Sequence, residues 1–326
     1  MKYVPALDGI RALAALLVVC VHSHVPGMSN GRGGVDIFFV LSGYLITMIL
    51  AREAESGGIH FGAFYLRRAR RLYPALLLLV GLVLALAPLW HPRPTAQDGL
   101  LALLHLSDYG VAYFDLPGTV LRHTWSLAVE EHFYLLWPLV VAGLCRMQRR
   151  DALRALVLAY VLATCWRYYV NWNASDPWLA YYRFDTRLSG LILGSLLAMA
   201  PRFRIPYRAI TLPLVGAVML ASSATMTVTI LPSEWLGALL VWWAIDGAPP
   251  LEARPLVYLG RISYGIYLFH WPITILFPAN QPWPITLLLT LAGSVMLATL
   301  SYYTVERVVR SKPRRHLERG IANPRA

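Results

Sequence analysis

The chain alternates long apolar stretches with short polar or basic breaks, and most of the stretches are long enough to cross a bilayer. The pattern predicts about ten spans, at 10–26, 34–50, 73–90, 124–145, 155–172, 183–200, 209–230, 233–246, 256–278 and 284–305. A further apolar segment, 95–115, is short and bounded by Pro92, Pro94 and Pro117, so it reads as external or re-entrant. The expected fold is an all-α polytopic membrane protein. There is no internal repeat, low-complexity tract or soluble domain, which gives one membrane domain over 1–310 and a basic tail over 311–326. The first apolar run carries Arg11 and no small-residue cleavage site follows it, so it reads as retained.

Polar residues inside the spans form patterns. In LDGIRALAALLVVCVHSH, Arg11 and His22 stand about three helical turns apart on one face, about 16 Å along the axis, and Asp8 precedes Arg11 on the same side. Charge in lipid is costly and usually marks a function. Histidine suits proton transfer near neutral pH, so His22 reads as a general base; the plainer alternative is a packing histidine beside a snorkelling arginine. GRGGVDIFFVLSGYLIT sets Asp36 at a helix entry, where it caps the helix or orients His22. The same segment puts Ser42 and Gly43 in mid-helix, the glycine for close packing.

TWSLAVEEHFYLLWP repeats Ser126, Glu130 and Tyr134 every four residues, a polar stripe on one face, with Glu131 directed elsewhere, towards the outer surface or a loop. Glu130 needs a partner within the span, from among Arg11, Arg167, Arg183, Arg187 and His22; a purely structural ion pair is the alternative. YRFDTRLSGLILG places Arg183, Arg187, Gly190 and Gly194 on one face, so both arginines are expected inside the bundle, with Asp185 lining or supporting the same path. GRISYGIYLFHWPI aligns Ser263, Tyr267 and His270 before Pro272. A lone histidine there is more often a packing residue, so His270 is assigned a supporting role only.

Composition agrees with the pattern: 57% of the 326 residues are hydrophobic and 14% charged, too apolar for a soluble domain. The net charge of +12 does not point to nucleic acid, because the basic residues sit in alternate loops. One set holds Arg52, Arg67, Arg68, Arg70 and Arg71, then Arg146, Arg149, Arg150 and Arg154, then Arg202, Arg204 and Arg208. After Glu306 the pattern continues with Arg307, Arg310, Lys312, Arg314, Arg315 and Arg319. The opposite loops hold little beyond Arg32, Arg93 and Arg122, so the positive-inside rule puts both termini in the cytoplasm. Cys20, Cys145 and Cys165 stand singly, without metal spacing or pairing, and no metal site is expected.

The most basic stretch is FYLRRARRLYPAL, with Arg67, Arg68, Arg70 and Arg71 immediately before Pro74, which is expected to open the next span. Either the cluster fixes topology and touches lipid headgroups, or it recognises a polyphosphate, the i,i+3 pairs Arg67/Arg70 and Arg68/Arg71 each gripping one phosphate.

Taken together, LDGIRALAALLVVCVH, GVDIFFVLSGYLIT, FYLRRARRLYPAL, TWSLAVEEHFYLLWP, RFDTRLSGLILG and ISYGIYLFHWP resemble the acyltransferase-3 family of integral-membrane O-acyltransferases (the OafA/YrhL-like group), in the family's order and over most of the chain. The resemblance implies an enzyme of the bacterial cytoplasmic membrane. It would take an acyl group, commonly acetyl, from cytoplasmic acyl-coenzyme A and deliver it to an acceptor hydroxyl, commonly of a surface glycan. Acyl-coenzyme A would be a co-substrate, and no bound cofactor is expected. Arg11 and His22 match the family's arginine and histidine with ten residues between them, Arg68 and Arg71 its paired arginines, and Glu130 the first glutamate of its fourth-span motif. The family often places a proline two positions after its last glutamate, where this chain has Val308 after Glu306. Some members carry an extracytoplasmic hydrolase-like domain that is not seen here, so acceptor handling is expected of the membrane domain or of a separate partner.

The resulting reading has the arginine cluster hold the nucleotide while the thioester arm threads between spans to His22. Arg11, Arg183 or Arg187 would line the path or stabilise oxyanion charge, and Glu130 or Asp36 would fix the His22 tautomer. Direct transfer and an acyl-histidine route are both compatible with it. A proton-coupled transporter would also carry intramembrane Arg, Glu and His, but repeat symmetry and paired broken helices are lacking. A lipid-binding scaffold would explain the basic loops but not His22 and Glu130.

Overall fold

The computed structural model describes residues 3–114, 120–201, 226–278 and 280–311, and among these there are helices and turns but no strand. The first helix, α1 (Pro5–His22), begins with proline in its first turn, where a missing N–H costs nothing, and has Asp8 near its positive end. It is followed by α2 (Gly33–Glu55) and α3 (Phe61–Ala85). Two short helices come next, α4 (Ala96–Leu103), with a Thr95/Asp98 capping box, and α5 (Ser107–Tyr113). Then follow α6 (Trp125–Leu144), α7 (Arg149–Asn173), α8 (Pro177–Tyr182), α9 (Leu188–Met199) and α10 (Met226–Asp246). The described chain ends with α11 (Arg254–Arg261), α12 (Ser263–Thr274) and α13 (Trp283–Ser301), the last running on through a π-helical turn, Tyr302–Glu306.

By length and composition, 4 helical stretches among the described residues can cross a membrane: Pro5–His22, Gly33–Glu55, Arg122–Leu144 and Trp283–Val309. On α6 the outward residues Leu135, Leu136 and Leu139 are exposed while Phe133, Trp137 and Val141 are buried. In water that apolar stripe would be costly; in lipid it is the expected surface.

Several boundaries differ from those the pattern predicts. The arginine cluster lies within a helix rather than in a loop: α3 starts at Phe61, so Pro74 is internal. Buried Phe64 anchors the first turns, and Arg, Ala and Leu are good helix formers, while one proline removes only one helical hydrogen bond. The 95–115 segment is two helices of 8 and 7 residues, each far too short to cross a core of about 30 Å. The boundary expected near 231–232 does not exist, because α10 runs straight through Pro232. Span 256–278 breaks at Ile262, between α11 and α12. The rest of the 209–230 span, Arg202, Arg204 and Arg208, Pro117, and the tail from Lys312 lie outside the described residues.

Helix α2 is central, packed against α1, α6, α9 and α10. Its contact with α9 is backbone to backbone: a Cβ on Gly43 would lie 1.9 Å from the Leu191 carbonyl oxygen, and one on Gly194 1.9 Å from that of Val40. Close approach requires glycine at both positions, and it brings the polar side chains of the two helices into one interior.

Candidate active site

The Ser126–Glu130–Tyr134 stripe faces a cavity of about 180 Å³ inside the bundle. Ser42 comes in from α2, and its Oγ donates to Glu130 Oε1 at 2.5 Å. The partner of Glu130 is therefore a hydroxyl, not one of the arginines or His22 considered from the sequence. The arginines of α3 divide by helical position. Arg68 and Arg71, three apart on one face, line the cavity, whereas Arg67 pairs with Glu53 and Arg70 is exposed. Arg68 stacks on the Tyr134 ring, Cζ 3.3 Å from its centroid, and donates to Glu131 Oε1 at 3.1 Å. Glu131 thus turns towards the arginine cluster rather than away from it. Arg11, Ser263 and Tyr267 complete the polar lining.

His22 ends α1 and lines a second cavity, with Val35 and Tyr267 common to both. Its Nδ1 lies 2.9 Å from His270 Nε2, and the two rings stack with centroids 5.1 Å apart. The other His270 nitrogen, Nδ1, is 2.6 Å from the Tyr267 carbonyl oxygen. A carbonyl only accepts, so with both rings neutral the proton positions follow. His270 Nδ1–H donates to the carbonyl, its Nε2 accepts from His22 Nδ1–H, and His22 Nε2 keeps a lone pair. That is the tautomer a base requires, and His270 sets it. Neither Asp36 nor Glu130 does so, because both are committed elsewhere.

Asp36 accepts from Arg187 Nη2 at 2.5 Å, both side chains being almost wholly buried, and the Arg187 guanidinium lies 4.5 Å from the Tyr181 ring centroid. Arg183 does not share that interior. It follows α8 instead of lying on α9, and pairs with Asp185 at 2.6 Å on a partly exposed turn. Arg11 is held at 2.8 Å by Asp8, one turn back.

Two residues without a sequence-based role belong to the same interior. His123 is buried, with Nε2 donating to the Leu268 carbonyl at 3.0 Å and its ring edge-on to His270. Ser126 Oγ donates to Tyr267 Oη at 2.6 Å, which donates in turn to the His123 carbonyl at 3.0 Å. Glu234 on α10 pairs with Arg167 on α7 at 2.7 Å, and Ser189 bridges them. A Ser-Glu pair inside the apolar run of α10, and a histidine three residues before the stripe, were the available signals. Among the described residues no group of three or more His, Cys, Asp or Glu is placed to hold a metal ion.

An apolar helical bundle with a hydrogen-bonded histidine pair, a carboxylate and paired arginines around two cavities that share Val35 and Tyr267 is the interior of a membrane-embedded protein. The comparisons name the class. Residues 4–305 match the family model described as an acyltransferase domain, and the chain belongs to this acyltransferase-3 family. It is similar to the putative peptidoglycan O-acetyltransferase YrhL of Bacillus subtilis, 33% identical over 98% of this chain and 57% of that protein. It is also similar to the peptidoglycan O-acetyltransferase OatA of Listeria monocytogenes, 31% identical over 95% of this chain and 56% of the relative, and to the O-acetyltransferase OatA of Staphylococcus aureus, 30% identical over 95% and 58%. The chain thus spans little more than half the length of these relatives. No solved structure matches it.

Proposed function

We propose that this protein moves an acyl group, most simply acetyl, from acyl-coenzyme A on the cytoplasmic face of a bacterial cell membrane to a hydroxyl of a surface glycan. The observation that carries the reading is the placement of two cavities on either side of Val35 and Tyr267, one with Arg68 and Arg71, the other with a histidine whose tautomer is fixed. Peptidoglycan in the names of two relatives supports a glycan acceptor. Loop charge supports a polytopic arrangement with both termini cytoplasmic.

In the proposed reaction Arg68 and Arg71 hold the phosphates of the donor, and the thioester arm lies along the cavity beside Ser42 and Glu130. His22 Nε2 takes the proton as the acceptor oxygen attacks the thioester carbon. The new C–O bond forms, the C–S bond breaks, and the proton passes from His22 to the departing thiolate, giving the ester and free coenzyme A. Arg11, about three turns from His22 on the same helix, lines the donor cavity with Arg68 and Arg71, where its charge favours the anionic donor. Family membership favours this reading over a proton-coupled carrier.

The test is donor dependence in purified protein. Arg68→Lys/Arg71→Lys keeps the charge but loses the planar fork, and each charge-assisted hydrogen bond is worth about 1.5–3 kcal/mol. The double variant should insert normally and need about tenfold more acyl-coenzyme A for half-maximal rate. An unchanged donor dependence would make the cluster a topology signal.

A further inference from the structure

The cavity at the His22 end has a wall unlike the donor side. Trp125, Trp178, Tyr181, Tyr182 and Trp271 line it, giving flat apolar faces of the kind that cover the C–H face of a sugar ring. Two arginines complete it: Arg32, just before α2, and Arg122, in the turn before α6. Arg32 Cζ lies 5.1 Å from the Trp178 ring centroid, and Arg122 Cζ lies 5.8 Å from that of Tyr182 and 6.0 Å from that of Trp271. These contacts are of cation–π range and leave guanidinium N–H groups for an anion. The lining includes no Asp or Glu, and among the described residues neither arginine has a carboxylate within ion-pair distance. Arg11, Arg68, Arg167 and Arg187, by contrast, each have their acid.

Resting on the acyltransferase reading, we propose that this cavity is the acceptor subsite and that Arg32 and Arg122 select an anionic saccharide, the charge being a carboxylate or a phosphate on the sugar stacked against the tryptophans. The acceptor hydroxyl then meets His22, which lines the same cavity. The two arginines are acceptor-binding residues with no part in donor recognition.

Binding separates this claim from the chemistry. Methyl β-glucuronide, methyl β-glucoside 6-phosphate and neutral methyl β-glucoside are titrated into the full-length protein in detergent without donor, and tryptophan fluorescence is followed. At least one anionic glycoside should bind about tenfold or more tightly than the neutral one, and whichever does identifies the charge. Arg32→Gln and Arg122→Gln should bring that ligand close to the neutral affinity without altering the neutral ligand. Arg122→Lys should keep part of the preference, and added salt should weaken only the anionic ligands. Lack of preference, including no binding by either anion, overturns the subsite, as does a variant that weakens all three ligands alike. If the preference holds but the protein moves no acyl group from acyl-coenzyme A to any hydroxyl, the acyltransferase reading fails and the anion site stands.

Discussion

His22 and His270 are 248 positions apart in sequence and 2.9 Å apart in the fold, and they carry different expectations. His22→Gln keeps hydrogen bonding but cannot take a proton at neutral pH, so turnover should vanish while acyl-coenzyme A still binds. In the proposed mechanism His270 is a positioning residue. His270→Ala releases the His22 tautomer and should lower kcat by about 10²–10⁴, the range general-base catalysis supplies, with the donor KM unchanged. His270→Gln, whose carbonyl can accept from His22 Nδ1, should recover part of that loss; a merely structural histidine would show no such rescue. That Ser126, Glu130 and Tyr134 share one face was legible in the sequence because their i,i+4 spacing is local. The His22–His270 pair was not, since nothing in either helix names its partner and a histidine in an apolar run is ordinary. Asp36 was legible as an acid at a helix entry, but its burial and its partner Arg187 follow from the α2–α9 contact and not from local sequence.

At the scale of elements, that contact depends on Gly43 and Gly194. Valine at either would drive a side chain into a carbonyl oxygen, and overpacking costs about 1–3 kcal/mol or more. Gly194→Val should lower the thermal midpoint in detergent and reduce activity with it, because Arg187 and Asp36 lose register. Between α7 and α10, Glu234→Leu leaves Arg167 buried without its acid and should cost about 3–5 kcal/mol, whereas Arg167→Met/Glu234→Leu should regain much of the loss. Equal destabilisation by the single and double variants would argue against an ion-pair origin. Glycines in apolar runs announced the close packing. The start of α3 at Phe61 was hidden because an arginine-rich helix has the composition of a loop, and the unbroken α10 was hidden by Pro232.

For the whole molecule, the proposed reaction has the arginine side and the His22 side face different compartments, and loop charge predicts which is which. In a background without Cys20, Cys145 and Cys165, single cysteines near Arg149 and near Gln281 should label from opposite sides. The first should be protected from an impermeant thiol reagent applied outside the cell and the second should react. The most direct test of the account is sided transfer in vesicles of known orientation, with radiolabelled acetyl-coenzyme A on the arginine side and a saccharide acceptor on the other. The account predicts labelled ester in the acceptor compartment with the wild-type protein, and none with His22→Gln although that variant still binds the donor. Near-normal transfer by His22→Gln would contradict it.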